Sequence, residues 1–269
     1  MPARQEPGRS RGFERGHRIA TDRPSVARRL EVPSDGPSRR PLKIVPAVPY
    51  QDATPALPAK IFGIGLSRTG TTSLHCALAL LGVPSIHYPA HAAWDWLHGR
   101  FHSDALVPFD ACCDIPTPIY FRQLDRAYPG SKFILTTRAP DAWLDSVERH
   151  YATSPPSSPQ TAFRDLLRVA VYGVINFHRG RFREVYETHH DAVKRYFAAR
   201  PGDIIQFDVT SGDGWSHLCP FVGRPAPDVP FPKLRTPYMG AFEFVKRDEL
   251  AQKQVLLRQF LASKGGDQS

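Results

Sequence analysis

Hydrophobic and polar positions follow two different periods along the chain from Lys60 onward. Short apolar runs of strand length alternate with segments whose apolar residues recur every three or four positions, as they do on one face of a helix. Strands are predicted at 60–65, 83–87, 109–113, 132–137 and 203–207. Helices are predicted at 70–82, about 90–101, 116–128, 140–150, about 161–178, 180–199, near Gly214 onward, and about 238–262.

This alternation of strands and helices predicts the fold class. A helix that connects two strands returns the chain to the same end of the sheet, so the strands run parallel and the helices cover both faces. The pattern therefore predicts an α/β fold with three layers, a parallel sheet flanked by helices. A chain of 269 residues suits one such domain, which we assign to residues 59–269.

Residues 1–58 show neither period and have a different composition. Up to Lys60 the chain holds twelve Lys or Arg residues against six acidic ones, and ten of the 27 prolines, so this segment carries most of the formal net charge of +9. Such a segment cannot bury enough apolar surface to offset its ordering entropy. We predict a disordered basic tail. Two alternatives to a solvated extension are an arm that binds nucleic acid or an anionic membrane, and an organelle transit peptide. We expect the solvated extension, and no nucleic-acid partner.

The remaining composition narrows the class of protein further. No apolar run approaches the ~18 residues that a membrane-spanning helix needs. The four cysteines are too few and too scattered for a disulfide framework, which favours a reducing compartment; they are Cys76, Cys112, Cys113 and Cys219. We therefore expect a soluble, cytoplasmic protein without a membrane span.

The first candidate site is the turn between the first predicted strand and helix, Gly65-Leu66-Ser67-Arg68-Thr69-Gly70-Thr71-Thr72. Backbone N–H groups of such a turn and of the helix start converge on one point and bind anions. Gly65 and Gly70 have the spacing of a Walker A loop, but Thr71 stands where that loop has its Lys, which makes a poor ATPase loop. Arg68 supplies a cation within the turn instead. The Thr71 and Thr72 hydroxyls can cap the helix as well as bind an anion.

A second strand-to-helix junction follows at residues 132–146. Arg138 comes directly after the strand, Pro140 starts the helix, and Ser146 lies on its second turn. Open α/β sheets bind ligands at the carboxyl ends of their strands, and a guanidinium group suits a phosphate dianion. Trp143 could stack on a nucleobase, but a core position is the preferred interpretation.

In this order, the two junctions resemble the 5′-phosphosulfate loop and the 3′-phosphate motif of sulfotransferases, and the resemblance extends over about residues 60–232. The chain is similar to the branch with an Arg-Thr-Gly-Thr loop and a late Gly-x-Gly-Trp segment, here Gly212-Asp213-Gly214-Trp215. It departs from the cytosolic enzymes in having Arg68 in place of Lys, and their C-terminal Lys/Arg-Gly element is not evident.

The resemblance implies a P-loop NTPase-like sulfotransferase fold and 3′-phosphoadenosine 5′-phosphosulfate (PAPS) as co-substrate, with no metal. It implies that the donor is bound by Ser67, Arg68, Thr69, Gly70, Thr71, Thr72, Arg138 and Ser146. An acceptor hydroxyl or amine would attack sulfur while Arg68 stabilises charge on the leaving phosphate.

The general base is predicted from the same resemblance. In related enzymes it follows the loop cation by about two dozen positions, which falls among residues 87–91. We predict His87, at the carboxyl end of the second strand, because a neutral imidazole suits this role. Asp114 is the alternative and could also orient the acceptor. Either residue could instead be only a polar loop residue.

Two other functional classes stay open: a P-loop nucleotide-dependent phosphotransferase or NTPase, and a non-catalytic nucleotide-binding domain. Phosphoryl transfer needs Mg²⁺ held by acidic ligands, and Asp110 and Asp208 are only weak candidates for that role. The histidine pairs 87/91 and 98/102 have the spacing of zinc ligands on a helix but lack convincing partners. The acceptor, whether a small molecule, glycan or peptide, and the oligomeric state stay open.

Overall fold

The computed structural model describes residues 58–234 and 244–265, which contain one sheet of six short strands. The strands are β1 (Ile61–Gly63), β2 (Ser85–His87), β3 (Ala111–Cys113), β4 (Lys132–Thr136), β5 (Ile204–Phe207) and β6 (Phe244–Val245). Their order across the sheet is β5-β4-β1-β3-β2-β6. Strands β1 to β5 run parallel, and β6 pairs antiparallel with β2.

The helices follow the strands along most of the chain. In the described residues they are α1 (Thr71–Leu80), α2 (Ala90–Leu97), α3 (Phe121–Ala127), α4 (Pro140–Ala152), α5 (Ala162–Tyr172), α6 (Arg179–Phe197), α7 (Trp215–Val222) and α8 (Leu250–Gly265). None of these helices combines the length and the apolarity that crossing a bilayer requires.

The core is divided by the sheet into two sides. Successive residues of a strand point to opposite faces, and in β4 Phe133 and Leu135 join one buried cluster while Ile134 joins the other. The first cluster is completed by α2, α3 and α6, and the second by α1 and α7. The predicted three-layer α/β fold, with a mostly parallel sheet flanked by helices, is therefore confirmed.

The strand register brings the predicted site segments to one edge of the sheet. Gly63 pairs with Cys113 of β3 and with Ile134 of β4, and Cys113 pairs with His87 of β2. Because these strands are parallel, their carboxyl ends meet at the same edge, where α/β folds bind ligands. The loop after β1 and the residues that end or follow β2, β3 and β4 therefore lie together.

Two predicted helices have different ends in the structure. The helix expected at 161–178 is α5, which stops at Tyr172 because Gly173 adopts a φ of +75° and ends the helical conformation. The helix expected from about 238 begins only at Leu250, and the prediction for 238–243 falls outside the described residues. Phe244 and Val245 instead form β6, because the free edge of β2 accepts backbone pairs and Val245 is fully buried there.

The other element boundaries differ from the predictions by a few residues. The predicted basic tail lies outside the described residues except for Pro58, so its disorder stays a prediction.

Gly65 lies where the chain leaves β1 and passes the end of β4. A Cβ atom at this position would overlap the side-chain and carbonyl oxygens of Thr136 and would lie 2.7 Å from Thr69 Oγ1. Thr69 Oγ1 donates to the Leu66 carbonyl at 2.6 Å and also lies 2.6 Å from Thr136 Oγ1. Since a hydroxyl has one proton, Thr136 donates to Thr69. The loop is thereby fixed against β4, and only glycine fits at its start.

His189 of α6 fixes the same loop from the other side. Its Nε2 lies 2.7 Å from the Ile64 carbonyl oxygen and donates to it, because a carbonyl can only accept. Burial lowers the pKa of His189 to about 4, although the bond to Ile64 opposes this shift. The imidazole is therefore neutral in the folded protein near pH 7.

Substitution of Gly65 should destabilise the fold. We expect Gly65→Ala to lower the free energy of unfolding by about 2 kcal/mol or more, because the Thr136 carbonyl belongs to the sheet and cannot move away. Gly202→Ala is the matched control, since a Cβ there meets no atom within 4 Å. Urea-induced unfolding measures both variants. Equal stability of the two variants would contradict the close approach.

Acid should weaken the fold through His189. The pKa of this residue is near 6.5 in the unfolded chain and about 4 in the folded one, so at intermediate pH the unfolded state binds the extra proton. Its contribution to stability is complete above about pH 6.5 and is lost as the pH falls toward 4.

The variant His189→Gln isolates this effect, because glutamine can still donate to the Ile64 carbonyl but does not titrate. Between pH 7 and pH 4 the wild-type protein should lose on the order of 1–3 kcal/mol more unfolding free energy than the variant. Urea unfolding at several pH values measures the difference. Parallel pH profiles would show that His189 does not contribute.

Candidate active site

The loop between β1 and α1 has the backbone of an anion-binding turn. Arg68 and Gly70 adopt positive φ angles of 73° and 107°, and Gly70 is the residue that precedes α1. No side chain caps this helix start, so the first backbone N–H groups of α1 are not satisfied by a capping side chain. These groups, together with the helix dipole, favour an anion at this position.

Hydrogen bonds from buried side chains hold the loop between β1 and α1 in place. Trp143 of α4 is fully buried, and its Nε1 donates to the Ser67 carbonyl at 2.9 Å, which confirms the predicted core position. Both the N–H and the hydroxyl of Thr69 donate to the Leu66 carbonyl, at 3.2 and 2.6 Å. Thr69 thus supports the loop, and its contact with the donor stays a prediction.

The two candidates for the general base lie side by side at the edge of the sheet. His87 Nε2 is 3.3 Å from Asp114 Oδ2, 3.1 Å from Thr71 Oγ1 and 3.4 Å from Thr72 Oγ1. Ser67 Oγ donates to Asp114 Oδ1 at 2.5 Å. The structure therefore brings five of the predicted site residues, which come from three separate segments, into one hydrogen-bonded cluster.

The surroundings of His87 favour a neutral imidazole. The side chain is buried, and this burial lowers its pKa, while the nearby Asp114 carboxylate opposes the shift. A neutral ring can accept a proton, and the adjacent carboxylate would stabilise the imidazolium that results. Asp114 itself is held in the left-handed region, with a φ of 75°, directly after β3.

The second predicted motif lies next to the loop. Arg68 Nε donates to Ser146 Oγ at 3.4 Å, a long hydrogen bond. Burial lowers the pKa of Arg68, Asp114 raises it, and the positive charges of Arg138 and Arg149 lower it further. The guanidinium groups of Arg138 and Arg149 are thus close enough to that of Arg68 to repel it, which is the arrangement expected around a multiply charged anion.

Arg149 is the member of this cluster that the sequence interpretation missed. It follows Ser146 by three residues on α4, and residues three apart lie on the same face of a helix. The three-residue spacing from Ser146 is therefore the sequence feature from which Arg149 could have been predicted.

Arg138 shows that this cluster is suited to a phosphate. Its Nε atom is buried and has no hydrogen-bond partner among the described residues. The backbone of Arg138 is fixed by Tyr186, whose hydroxyl donates to the Arg138 carbonyl at 2.6 Å. A buried cationic N–H without a partner costs free energy unless a ligand accepts from it.

Other residues singled out in the sequence lie elsewhere or have structural contacts. Trp215, in the late Gly-x-Gly-Trp segment, donates from Nε1 to the Val229 carbonyl at 2.7 Å. His98 Nδ1 lies 2.7 Å from the Trp94 carbonyl. Within residues 58–234 and 244–265, no three His, Cys, Asp or Glu side chains are grouped as metal ligands.

Comparisons with known proteins identify a matching family. The family model described as "Sulfotransferase domain" matches residues 60–237. A similar protein is the Ava biosynthesis cluster protein M of Aspergillus versicolor, which is 26% identical, with 66% of this chain and 81% of that protein covered. A similar solved structure is the sulfotransferase domain from the curacin biosynthetic pathway, at 15% identity and a TM-score of 0.43, covering 79% of this chain and 99% of that one.

The family match spans both strand-to-helix junctions and the segment between them, which are the parts of the chain that form the cluster around Arg68, His87 and Asp114. By this match the chain belongs to the sulfotransferase domain family.

Proposed function

We propose that the protein transfers the sulfuryl group of PAPS to a hydroxyl or amine acceptor. Membership of the family makes it a sulfotransferase, and the proposal adds the donor and the type of acceptor. The observation that carries it is the buried, unpartnered Nε of Arg138 beside Arg68 and Ser146. A donor with phosphates at both its 3′ and 5′ positions requires two anion-binding sites, and this proposal assigns them to the start of α1 and to the region of Arg138 and Ser146.

In this proposal different residues bind different parts of the donor. The N–H groups at the start of α1 and the hydroxyls of Thr71 and Thr72 bind the 5′-phosphosulfate, and Arg138 and Ser146 bind the 3′-phosphate. Arg68 lies between the two groups and stabilises the charge that develops on the leaving phosphate oxygen. Ser67 contributes through its bond to Asp114, and Gly70 leaves the helix start open.

The chemical step forms one bond and breaks one. The acceptor oxygen or nitrogen bonds to sulfur, the bond from sulfur to the bridging phosphate oxygen breaks, and adenosine 3′,5′-bisphosphate leaves with that electron pair. His87 takes the acceptor proton, and Asp114 stabilises the resulting imidazolium. Asp114 is the rival base, because its carboxylate lies in the same cluster.

The class of a P-loop phosphotransferase is less well supported. Thr71 occupies the place of the Walker A Lys. The weak Mg²⁺ candidates have other partners: Asp110 accepts from Arg247, and Asp208 accepts from Thr210 and Ser211. A non-catalytic nucleotide-binding domain would not need a neutral histidine paired with a carboxylate beside its loop.

Loss of either donor-site arginine should weaken binding of adenosine 3′,5′-bisphosphate. We expect Arg68→Ala and Arg138→Ala each to lower the affinity by about tenfold to a hundredfold, since each removes a charge-assisted contact worth about 1.5–3 kcal/mol. Arg247→Ala is the control, because its guanidinium pairs with Asp110 on an exposed surface. Isothermal titration calorimetry measures the affinities.

The same titration separates the functional classes. The wild-type protein should bind the bisphosphate in preference to ATP with Mg²⁺. Unchanged affinity in both variants would contradict the donor site, and a preference for ATP with Mg²⁺ would support the phosphotransferase class instead.

Removal of the proposed base should slow turnover without affecting the donor site. We expect His87→Ala to lower kcat for PAPS-dependent transfer by about 10²–10⁴-fold, while bisphosphate affinity stays within a few-fold of wild type. Because burial lowers the pKa of His87, the acidic limb of the wild-type pH–rate profile should lie below the usual histidine value of about 6.5. Full activity of His87→Ala with loss in Asp114→Asn would assign the base to Asp114.

A further inference from the structure

A cavity of about 320 Å³ lies beyond the carboxyl end of α4, where it meets α5 and the segment after α5. Its wall includes the guanidinium-bearing Arg164 and Arg168 of α5, together with the polar side chains of Tyr151, Ser154 and Asn176. No acidic residue lines it. The wall therefore presents hydrogen-bond donors and positive charge to whatever enters.

The two arginines share a single carboxylate. Asp165 Oδ1 accepts from Nε and NH2 of Arg164, at 2.9 and 2.8 Å, and lies 3.7 Å from NH1 of Arg168. One positive charge is left over in this group of three. The Arg168 side chain is only 8% exposed, and its guanidinium also stacks on the Tyr151 ring at 4.2 Å. Its NH2 also donates to Ser154 Oγ at 3.0 Å, but this neutral partner leaves the charge only partly compensated by Asp165. A buried guanidinium group whose charge is partly compensated is costly unless an anion completes it.

Tyr151 adds an unused donor to the same wall. Its hydroxyl is buried and has no hydrogen-bond partner among the residues that the structure describes. Burial raises its pKa to about 12, so the hydroxyl keeps its proton and remains able to donate. Donors from Tyr151, Arg164 and Arg168 are thus gathered at one cavity.

The cavity and the candidate donor site are connected by α4, which carries both Ser146 and Tyr151. Tyr151 follows Ser146 by five residues on α4, a rise of about 7.5 Å along the helix. His150 lies one turn from Ser146 on the same helix. Partial desolvation lowers its pKa, and the charges of Arg68 and Arg168 lower it further, while Asp114 opposes the shift. Tyr172 links the same regions by packing, because it is buried in one cluster with Trp143, which donates to Ser67, and Tyr151 packs against that cluster.

We propose that this cavity binds an anionic group of the acceptor, a carboxylate or a phosphate, through Arg164, Arg168 and the Tyr151 hydroxyl. The inference rests on the proposed function, since it assumes that the acceptor reacts beside His87 and Asp114. The anionic group takes no part in bond formation; it orients the acceptor so that its hydroxyl or amine faces the donor. The substrate class is therefore an acidic acceptor rather than a neutral one.

Three matched probes test the proposal: 4-hydroxybenzoate, 4-hydroxyphenyl phosphate and the neutral 4-hydroxybenzamide. Each is titrated by calorimetry into the full chain saturated with adenosine 3′,5′-bisphosphate, so that the donor site is not available to the probes. Wild-type protein should bind at least one anionic probe about tenfold or more tighter than the amide, as expected for a charge-assisted contact. Comparison of the two anions identifies the group that is preferred.

Variants of the cavity arginines test whether the preference for anionic probes arises at the cavity. Arg164→Gln and Arg168→Gln should abolish it, whereas Arg164→Lys should retain part of it and Arg247→Gln all of it. Arg168 is buried, so its variant can lose stability; thermal melting of each variant checks this. Arg164, with a side chain that is 22% exposed, carries the test if Arg168→Gln does not fold.

Three results would overturn the proposal: equal binding of acid and amide, no binding of either anion at millimolar concentration, or a preference that survives both glutamine variants. Titration of the bisphosphate alone keeps the two proposals separate. If wild-type protein fails to bind it, the proposed function fails, whereas absence of an anion preference beside normal bisphosphate binding contradicts only the role of the cavity.

Discussion

The close approach of Gly65 to Thr136 is the constraint on which the candidate site depends. The chain can turn from β1 into the loop at this point only because residue 65 has no side chain. The contact lays the loop across the end of β4, and from there Arg68 reaches Ser146 on the helix that follows β4. Two junctions that are far apart in sequence thus become neighbours in one candidate site, because the end of β1 approaches β4 here without an intervening side chain.

The site also concentrates charge that folding alone would not favour. Arg68, Arg138 and Arg149 lie near one another, and the acid that partly compensates them, Asp114, is shared with Ser67 and His87. Repulsion among partly buried cations destabilises the native state. The arrangement persists because buried packing around Trp143 and Tyr186 holds the backbone beneath it. Stability from the core thus keeps the residues of the candidate anion site in place despite their mutual repulsion.

Much of this arrangement could be predicted from the sequence. The apolar period predicted strands β1 to β5 and most helices, since buried strands and amphipathic helices leave regular patterns. The two junctions could be placed at strand ends for the same reason. The contacts between junctions could not be predicted. Ser67 and Asp114 are 47 positions apart and Arg68 and Ser146 are 78 apart, so only the sheet order brings them together. Nothing in the sequence indicates which backbone carbonyl needs a hydrogen-bond donor. The contact of His189 with the Ile64 carbonyl was therefore not predicted.

The two-residue strand β6 shows a different limit of prediction from the sequence. It is too short to have a period, and the chain around it has helical character, so the pattern favoured a helix there. The sheet edge decides otherwise, because β2 offers unpaired backbone groups and a buried place for Val245.

The pairing of β6 has a consequence for how this enzyme can vary. The residues matched by the family end at 237, whereas β6 lies beyond them at Phe244–Val245. Its partner in the sheet is β2, the strand that ends at His87. The segment after the shared domain therefore forms part of the support for the candidate base without entering the site. Substitutions there can alter the position of one imidazole through main-chain pairing alone, so a segment outside the matched residues can influence the candidate base while every residue in the site stays the same.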